Sequence, residues 1–262
     1  MALNPKDRRK VPSSPLSKAM AQEDRIGLRR KGNVNMAVAE VIGSRIVRGE
    51  YLPGMVLPHE AAWASAFDVS RSVIREAIKM LSAKSLLTSR PRVGSTVEPR
   101  ENWNLLDHEV LNWYTSGPDK SVILRSLQQF RHIIEPEAAA LAAQNRTTEQ
   151  LQVISMACEL MATLPSLQER AAADVKFHLS ILKASNNELL VPLGVLIDSA
   201  LKNLFVLITE ESGDVHYAQD LHNNIEKAIR QQKPDAARKA VRMLLENSDD
   251  MIAKWAKQRQ NL

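Results

Sequence analysis

With 262 residues, 44% of them apolar and only 4% aromatic, the sequence excludes a disordered chain and suits two domains rich in packed helix. No window approaches the roughly 18 uninterrupted apolar residues of a membrane span, and the single cysteine, Cys158, excludes an intrachain disulfide and fits a reducing cytoplasm. The formal charge of +5 is unevenly spread: residues 1–31 hold nine Lys/Arg against three acids, residues 32–99 eight against six, and residues 100–262 18 against 21, so the front of the chain is the part suited to a polyanion.

Residues 1–31 combine Lys6, Arg8, Arg9 and Lys10 with Pro12, Ser13, Ser14 and Pro15. This composition reads as a flexible basic arm that either brushes DNA phosphates or has no specific role. Its charges are not followed by an apolar core, so no secretory signal is expected. From Val34 the pattern is helical: Val34, Val38, Val41, Ile42 and Ile46 share one face of a helix ending near Gly49. Leu52-Pro53-Gly54 is a turn and Met55 to Pro58 a short extended piece. A second helix is expected from about His59 to Phe67. Asp68-Val69-Ser70 then makes a tight connection, with Ser70 as N-cap.

The third helix, Arg71 to about Lys84, separates an apolar face (Val73, Ile74, Ala77, Ile78, Leu81) from a polar one (Arg71, Ser72, Arg75, Lys79). Leu86 to Arg90 and Ser95 to Glu98, joined through Pro91-Arg92-Val93-Gly94, read as a hairpin with a basic tip. By itself the polar face suits ordinary solvation. Together with the tight turn, the hairpin and the front-loaded charge, it describes a winged helix-turn-helix over residues 32–99. The N-terminal polar residues of its third helix can enter the major groove, and Arg92 can meet phosphate or the minor groove.

Residues 100–118 read as a linker with Trp103 and Trp113 as apolar anchors. The remainder, residues 119–262, is expected to form an all-α antiparallel bundle with helices near 121–144, 148–163, 166–185, 188–210, 216–232 and 235–258. Cys158, in an apolar helical stretch, reads as a buried inert thiol. Asp174 and His178, four apart on one helix, leave the same face, and His222 follows 48 residues after Asp174. A carboxylate and two imidazoles suit a divalent cation such as Zn, Ni or Mn, although the spacing alone equally describes a surface pair. Arg131 can present its fork to a carboxylate. His216 is a competing histidine; His59, His108 and His132 read as surface or packing residues.

Segments of both domains then invite comparison with a known family. Leu57-Pro58-His59-Glu60 followed by Val69-Ser70-Arg71-Ser72-Val73-Ile74-Arg75-Glu76-Ala77 resembles the operator-binding domain of GntR-type regulators. Arg131-His132-Ile133-Ile134-Glu135-Pro136, Asp174-Val175-Lys176-Phe177-His178 and the stretch from His222 to Ile229 resemble the FCD effector domain of the FadR subfamily. The resemblance runs from about residue 34 to 257. It implies a cytoplasmic homodimer on a palindromic double-stranded operator, usually a repressor released by a metabolite.

Carried over by residue, the resemblance makes Ser70, Arg71, Ser72 and Arg75 the recognition-helix contacts, with Arg92 and Gly94 at the wing. Asp174, His178 and His222 match metal ligands, and Arg131 matches a residue near the effector pocket. The stretch from Trp103 to Trp113 is similar to members that respond to sugar acids such as galactonate or gluconate. Two positions depart from the family pattern: Ala61 stands where many members have a DNA-contacting arginine, and Leu244 where many have a fourth ligand histidine.

The expectation is therefore a carboxylate-responsive DNA-binding regulator. The competing effectors are hydroxy acids, hexuronates or an acyl thioester in a metal-free pocket. A metalloenzyme would leave the DNA-reading half unexplained and lacks a separate base or nucleophile, and a constitutive architectural DNA binder is the third reading.

Overall fold

The computed structural model describes residues 33–90, 94–118, 120–211 and 215–260. The chain divides into two compact units, with the division between Asn104 and Leu105. The basic arm lies outside the described residues, as does the wing tip that contains Arg92.

The first unit contains α1 (Val34–Val47), α2 (Glu60–Phe67), α3 (Arg71–Ala83), β1 (Leu87–Arg90) and β2 (Gly94–Val97). α1 packs against α3, and α2 also packs on α3. Val38, Ile42 and Ile46 of α1 are buried, as are Ile74, Ala77, Ile78 and Leu81 of α3. The helical periodicity thus places both apolar stripes where the two helices meet. Under α2, Trp63 stacks on Phe67 with centroids 5.1 Å apart, while Tyr51 meets Trp63 edge-on at 5.9 Å. α2 ends at Asp68, whose φ of 57° is left-handed, a conformation that Asp tolerates better than most residues. Two residues later the Ser70 side chain accepts from the Val73 N–H and starts α3.

The hairpin pairs Leu87 with Val97 and Arg90 with Gly94. Val56 bridges Thr96, so the short extended piece before α2 joins the wing as well. Gly94 has φ +98°, yet a Cβ there would meet only Val56 Cγ1 at 3.6 Å, an ordinary contact. Backbone conformation, rather than space, requires glycine at this position.

The stretch read as a linker is shared between the units. Trp103 is buried in the first, its indole N–H donating to the Glu98 carbonyl at 2.9 Å. In the second unit, α4 (His108–Thr115) is capped by Asp107 and buries Val110, Leu111 and Trp113.

The second unit continues with α5 (Lys120–Asn145), α6 (Thr148–Thr163), α7 (Leu167–Ala184), α8 (Gly194–Glu211), α9 (Val215–Arg230) and α10 (Pro234–Gln260). α5 lies along α10, α6 along α7, and α9 along both α6 and α10. Cross-links establish the antiparallel sense. His132 meets Asp249 while Glu137 meets Arg238, and Ser155 meets Glu226 while Cys158 meets Asn223. Capping boxes at Thr147/Gln150 and Ser166/Glu169 fix the starts of α6 and α7. The Asn145 amide donates to the Ser185 carbonyl and the Asn186 amide to the Asn145 carbonyl, so the end of α7 is tied to the corner after α5.

One helix starts later than its pattern suggests. Val191–Leu193 forms a 3-10 turn, and α8 begins only at Gly194. A helix from residue 188 would place Pro192 beyond its first turn, where the ring clashes with the preceding carbonyl. α5 does contain an interior proline, Pro136, which is buried.

Ile154, Phe177, Ile225, Ile229 and Leu245 are fully buried in the central cluster, with Ala139, Ala142, Ala143 and Ala157 between them. The small alanines allow the helices to approach closely, and the larger side chains fill what remains. In the first unit, Leu81→Ala should remove fully buried volume and cost about 2–5 kcal/mol, read as a lower urea midpoint for that unit. A change below about 1 kcal/mol would mean that α3 packs less tightly than its burial indicates.

Candidate functional site

The structure presents two candidate sites, one in each unit. On the first, Ser70, Arg71, Ser72 and Arg75 are all exposed at the N-terminal end of α3, where Ser70 Oγ lies 2.7 Å from Ser72 Oγ. The Arg75 guanidinium is held from α2: Nη2 donates to Glu60 Oε2 at 3.1 Å and Nε to Oε1 at 3.4 Å. The hydrogen bond and charge of Glu60 raise the Arg75 pKa further above its ordinary value. Lys79 turns aside onto Glu76 at 2.8 Å. Glu60 is a participant that the reading of the sequence missed, although its place at the start of the helix preceding the recognition helix was a usable signal.

In the second unit, α7 carries Asp174 and His178 one turn apart, and α9 brings His222 to them. Asp174 Oδ1 is 2.9 Å from His222 Nε2 and 3.4 Å from His178 Nε2, and one ligand atom from each of the three residues lies within 4.8 Å of the others. Both histidines are buried, whereas the Asp174 side chain keeps 27% of its surface exposed. Phe177, fully buried, packs edge-to-face on both imidazoles, with centroids 5.5 Å and 5.4 Å away.

Behind these residues stands α5. Glu135 Oε2 lies 2.8 Å from His178 Nδ1, and Glu135 Oε1 accepts from Arg131 Nε at 2.5 Å. Arg131 is 1% exposed and also donates to Gln128 Oε1 at 3.4 Å. The carboxylate that its guanidinium meets here is the chain's own Glu135. Glu135 and Gln128 complete the cluster without having been singled out in the sequence.

The electrostatics follow from this packing. Burial is the strongest single influence on Glu135 and opposes its charge, but Arg131 and His178 outweigh it and bring the carboxyl down to about 2. Burial likewise opposes the charge on Asp174, and His178 and His222 together hold that carboxyl well below the usual range. For His178, burial would lower the pKa, yet the carboxylates of Glu135 and Asp174 push it up to about 9.

The donor set passes a test of fit for a divalent ion. Atoms sharing one tetrahedral ion at about 2.0–2.2 Å lie roughly 3.4 Å apart; here Asp174 Oδ1 lies 3.4 Å from His178 Nε2 and 2.9 Å from His222 Nε2, and the three donors stay within 4.8 Å of one another. Asp174 Oδ1, His178 Nε2 and Glu135 Oε2 are buried and make no well-formed hydrogen bond, although Asp174 Oδ1 and His178 Nε2 face each other at 3.4 Å and Glu135 Oε2 faces His178 Nδ1 at 2.8 Å. Asp174 Oδ1 and His178 Nε2 are thus the atoms that an ion at this cluster would take.

A helix-turn-helix with a hairpin wing, joined to a helical unit holding an Asp/His/His cluster, has counterparts among known proteins. Residues 35–97 match the family model described as bacterial regulatory proteins of the gntR family, and residues 126–247 match the FCD domain. The chain belongs to the GntR family of bacterial transcription regulators, in the group that carries an FCD domain. It is 36% identical over 223 residues to the HTH-type transcriptional regulator YieP of Escherichia coli K12, covering 83% of this chain and 94% of that protein. It is 31% identical over 210 residues to the galactonate operon transcriptional repressor of the same organism, covering 79% and 91% respectively. The solved structure of Lar, which controls expression of the Listeria monocytogenes agr system, shares the fold at a TM-score of 0.56 and 17% identity, over 86% of this chain and 98% of that one.

Within this GntR regulator, the remaining residues singled out in the sequence take simpler places. Gly94 opens β2, Ala61 is exposed on α2, and Leu244 is buried in the apolar core. Cys158 is buried, its thiol donating to Asn223 Oδ1 at 3.3 Å, and burial pushes its pKa up to about 11, which keeps it an unreactive thiol. His108 and His132 pair with Asp198 and Asp249. The side chain of His216 lies outside the described residues.

These shifts determine how the metal-free protein responds to pH. The raised His178 pKa contributes stability that is complete below about 6.5 and is lost as pH rises through about 9. The lowered pKa values of Glu135 and Asp174 contribute stability present above the normal carboxylate range and lost in strong acid. In chelator, the second unit should melt progressively lower between pH 6.5 and 9, by on the order of 2 kcal/mol. A melting temperature that is flat over that window would contradict the charged imidazole.

Proposed function

We propose that this GntR regulator binds a palindromic operator as a homodimer and represses transcription until a small carboxylate, a sugar acid in first place, binds the FCD domain through a divalent metal. The observation that carries the sensing half is the convergence of Asp174, His178 and His222 on one buried point beside the single partly open side chain, Asp174. The resemblance to the galactonate operon repressor supports a sugar acid as the ligand class.

Asp174 supplies a carboxylate oxygen and the two histidines supply imidazole nitrogens, a set suited to Zn, Ni or Mn. A cation held there offers Lewis-acid coordination to carboxylate and hydroxyl oxygens. Leu244 has no donor, so three protein ligands leave the rest of the coordination sphere to water or effector. Arg131, already paired with Glu135, contributes positive charge behind the site rather than a free clamp. Effector binding releases DNA only if the effector prefers the form whose recognition helices are poorly placed on the operator.

For the DNA half, Arg71 and Arg75 are the base-reading candidates, Ser70 and Ser72 sit beside the backbone, and Arg92 and Gly94 belong to the wing. Operator affinity should fall steeply with salt, with a log–log slope set by the number of phosphates neutralised. Arg71→Ala should weaken the operator complex about ten- to hundredfold and relax selectivity at one base pair. A uniform loss across all sequences would place Arg71 on the backbone instead.

The deciding experiment is a thermal-shift screen of the purified chain with aldonates, hexuronates, hydroxy acids and acyl thioesters, each with and without chelator, beside Asp174→Ala. The expected result is stabilisation by a sugar acid that chelation and the substitution both abolish. Stabilisation that survives both treatments would overturn the metal-bridged reading in favour of a metal-free pocket. Indifference of DNA binding to every compound would point to a constitutive binder.

A further inference from the structure

We infer that Glu135 is the positioning carboxylate of this centre, holding His178 in the tautomer that leaves Nε2 as the metal ligand and tying that imidazole to Arg131. This rests on the reading of Asp174, His178 and His222 as metal ligands. An imidazole offers either nitrogen to a metal, and the choice is made by what the other nitrogen bonds. Here Nδ1 faces Glu135 Oε2 at 2.8 Å, while Nε2 is turned to Asp174 Oδ1 at 3.4 Å. The carboxylate is 3% exposed, so water is a poor substitute for it.

The Arg131–Glu135 contact has the wrong form for a pair that serves stability alone. A guanidinium and a carboxylate left to themselves pair two-by-two, with both oxygens on the fork. Glu135 instead gives Oε1 to Arg131 Nε and turns Oε2 to the histidine. The chain of contacts extends backwards as well. Arg131 donates to Gln128, and the Gln128 amide donates to the Leu245 carbonyl of α10 at 3.4 Å. A backbone carbonyl of α10 is thereby connected through three side chains of α5 to a ligand on α7, so a shift of α10 against α5 reaches the imidazole through groups that are all buried.

The test uses the full chain stripped by chelator and titrated with Zn(II) against a chromophoric competitor, in wild type, Glu135→Gln and Asp174→Ala. Glu135→Gln should bind Zn(II) about ten- to hundredfold more weakly and give an altered Co(II) d–d absorption spectrum, while melting cooperatively. Wild-type Zn(II) affinity in Glu135→Gln, with binding abolished in Asp174→Ala, would overturn the role of Glu135 and leave the metal site standing. Failure of wild type to bind Zn(II) would remove the metal reading and this inference with it.

Should Glu135→Gln not fold, the imidazole nitrogen–proton NMR spectrum of the wild-type protein decides. Loaded with Zn(II), His178 should carry its proton on Nδ1, with the metal-induced shift on Nε2. The opposite tautomer would overturn the proposal.

Discussion

A buried carboxylate and a buried arginine, Glu135 and Arg131, with the half-buried Asp174 close by, set the terms for the second unit. An ion removed from water costs several kcal/mol unless it is matched, and Glu135, Asp174 and Arg131 can be accommodated only because each faces a partner of opposite charge or an imidazole. The matching groups come from α5, α7 and α9, so these three helices are fixed relative to one another more tightly than apolar packing requires. An apolar bundle of this size could fill the same volume with leucine at equal or better stability. Phe177, pressed on both imidazoles, restricts their rotation further. Apolar contact thus holds the rings while the carboxylates set their charge.

The first unit treats charge in the opposite way. Arg71, Arg75 and Lys79 of α3 are exposed, and an exposed pair such as Arg75–Glu60 adds little to stability. What the pair provides is direction: under the proposed operator contact, a long, rotamer-rich side chain would meet the groove with one orientation already favoured, which lowers the ordering cost of binding.

How much of this the sequence discloses follows the distance over which each signal acts. The apolar stripes of α1 and α3, the Asp68–Ser70 turn and the i,i+4 spacing of Asp174 and His178 are local, and each is where periodicity and capping place it. Glu135 escaped notice because four residues after Arg131 it looks like any exposed helix pair, and its burial depends on α7 and α10. Glu60 escaped for the same reason, since its partner lies 15 residues away across a turn. Pro192 was visible, but its effect on where α8 starts required weighing a single ring against a run of leucines and valines. Trp103 and Trp113 read as equivalent anchors of one linker and belong to different units, which no spacing within the linker could reveal.

Leu244 determines how the proposed centre depends on its effector. A fourth histidine would close the coordination sphere further and allow the metal to bind strongly without other help. With leucine buried at that position, the proposed centre has three protein donors and leaves the remaining coordination to water or effector oxygen. Metal and effector then complete one another's sites, and linkage requires each to raise the other's affinity by the same factor. A regulator built this way responds to the pair, and its threshold for the metabolite is set in part by the metal available to it.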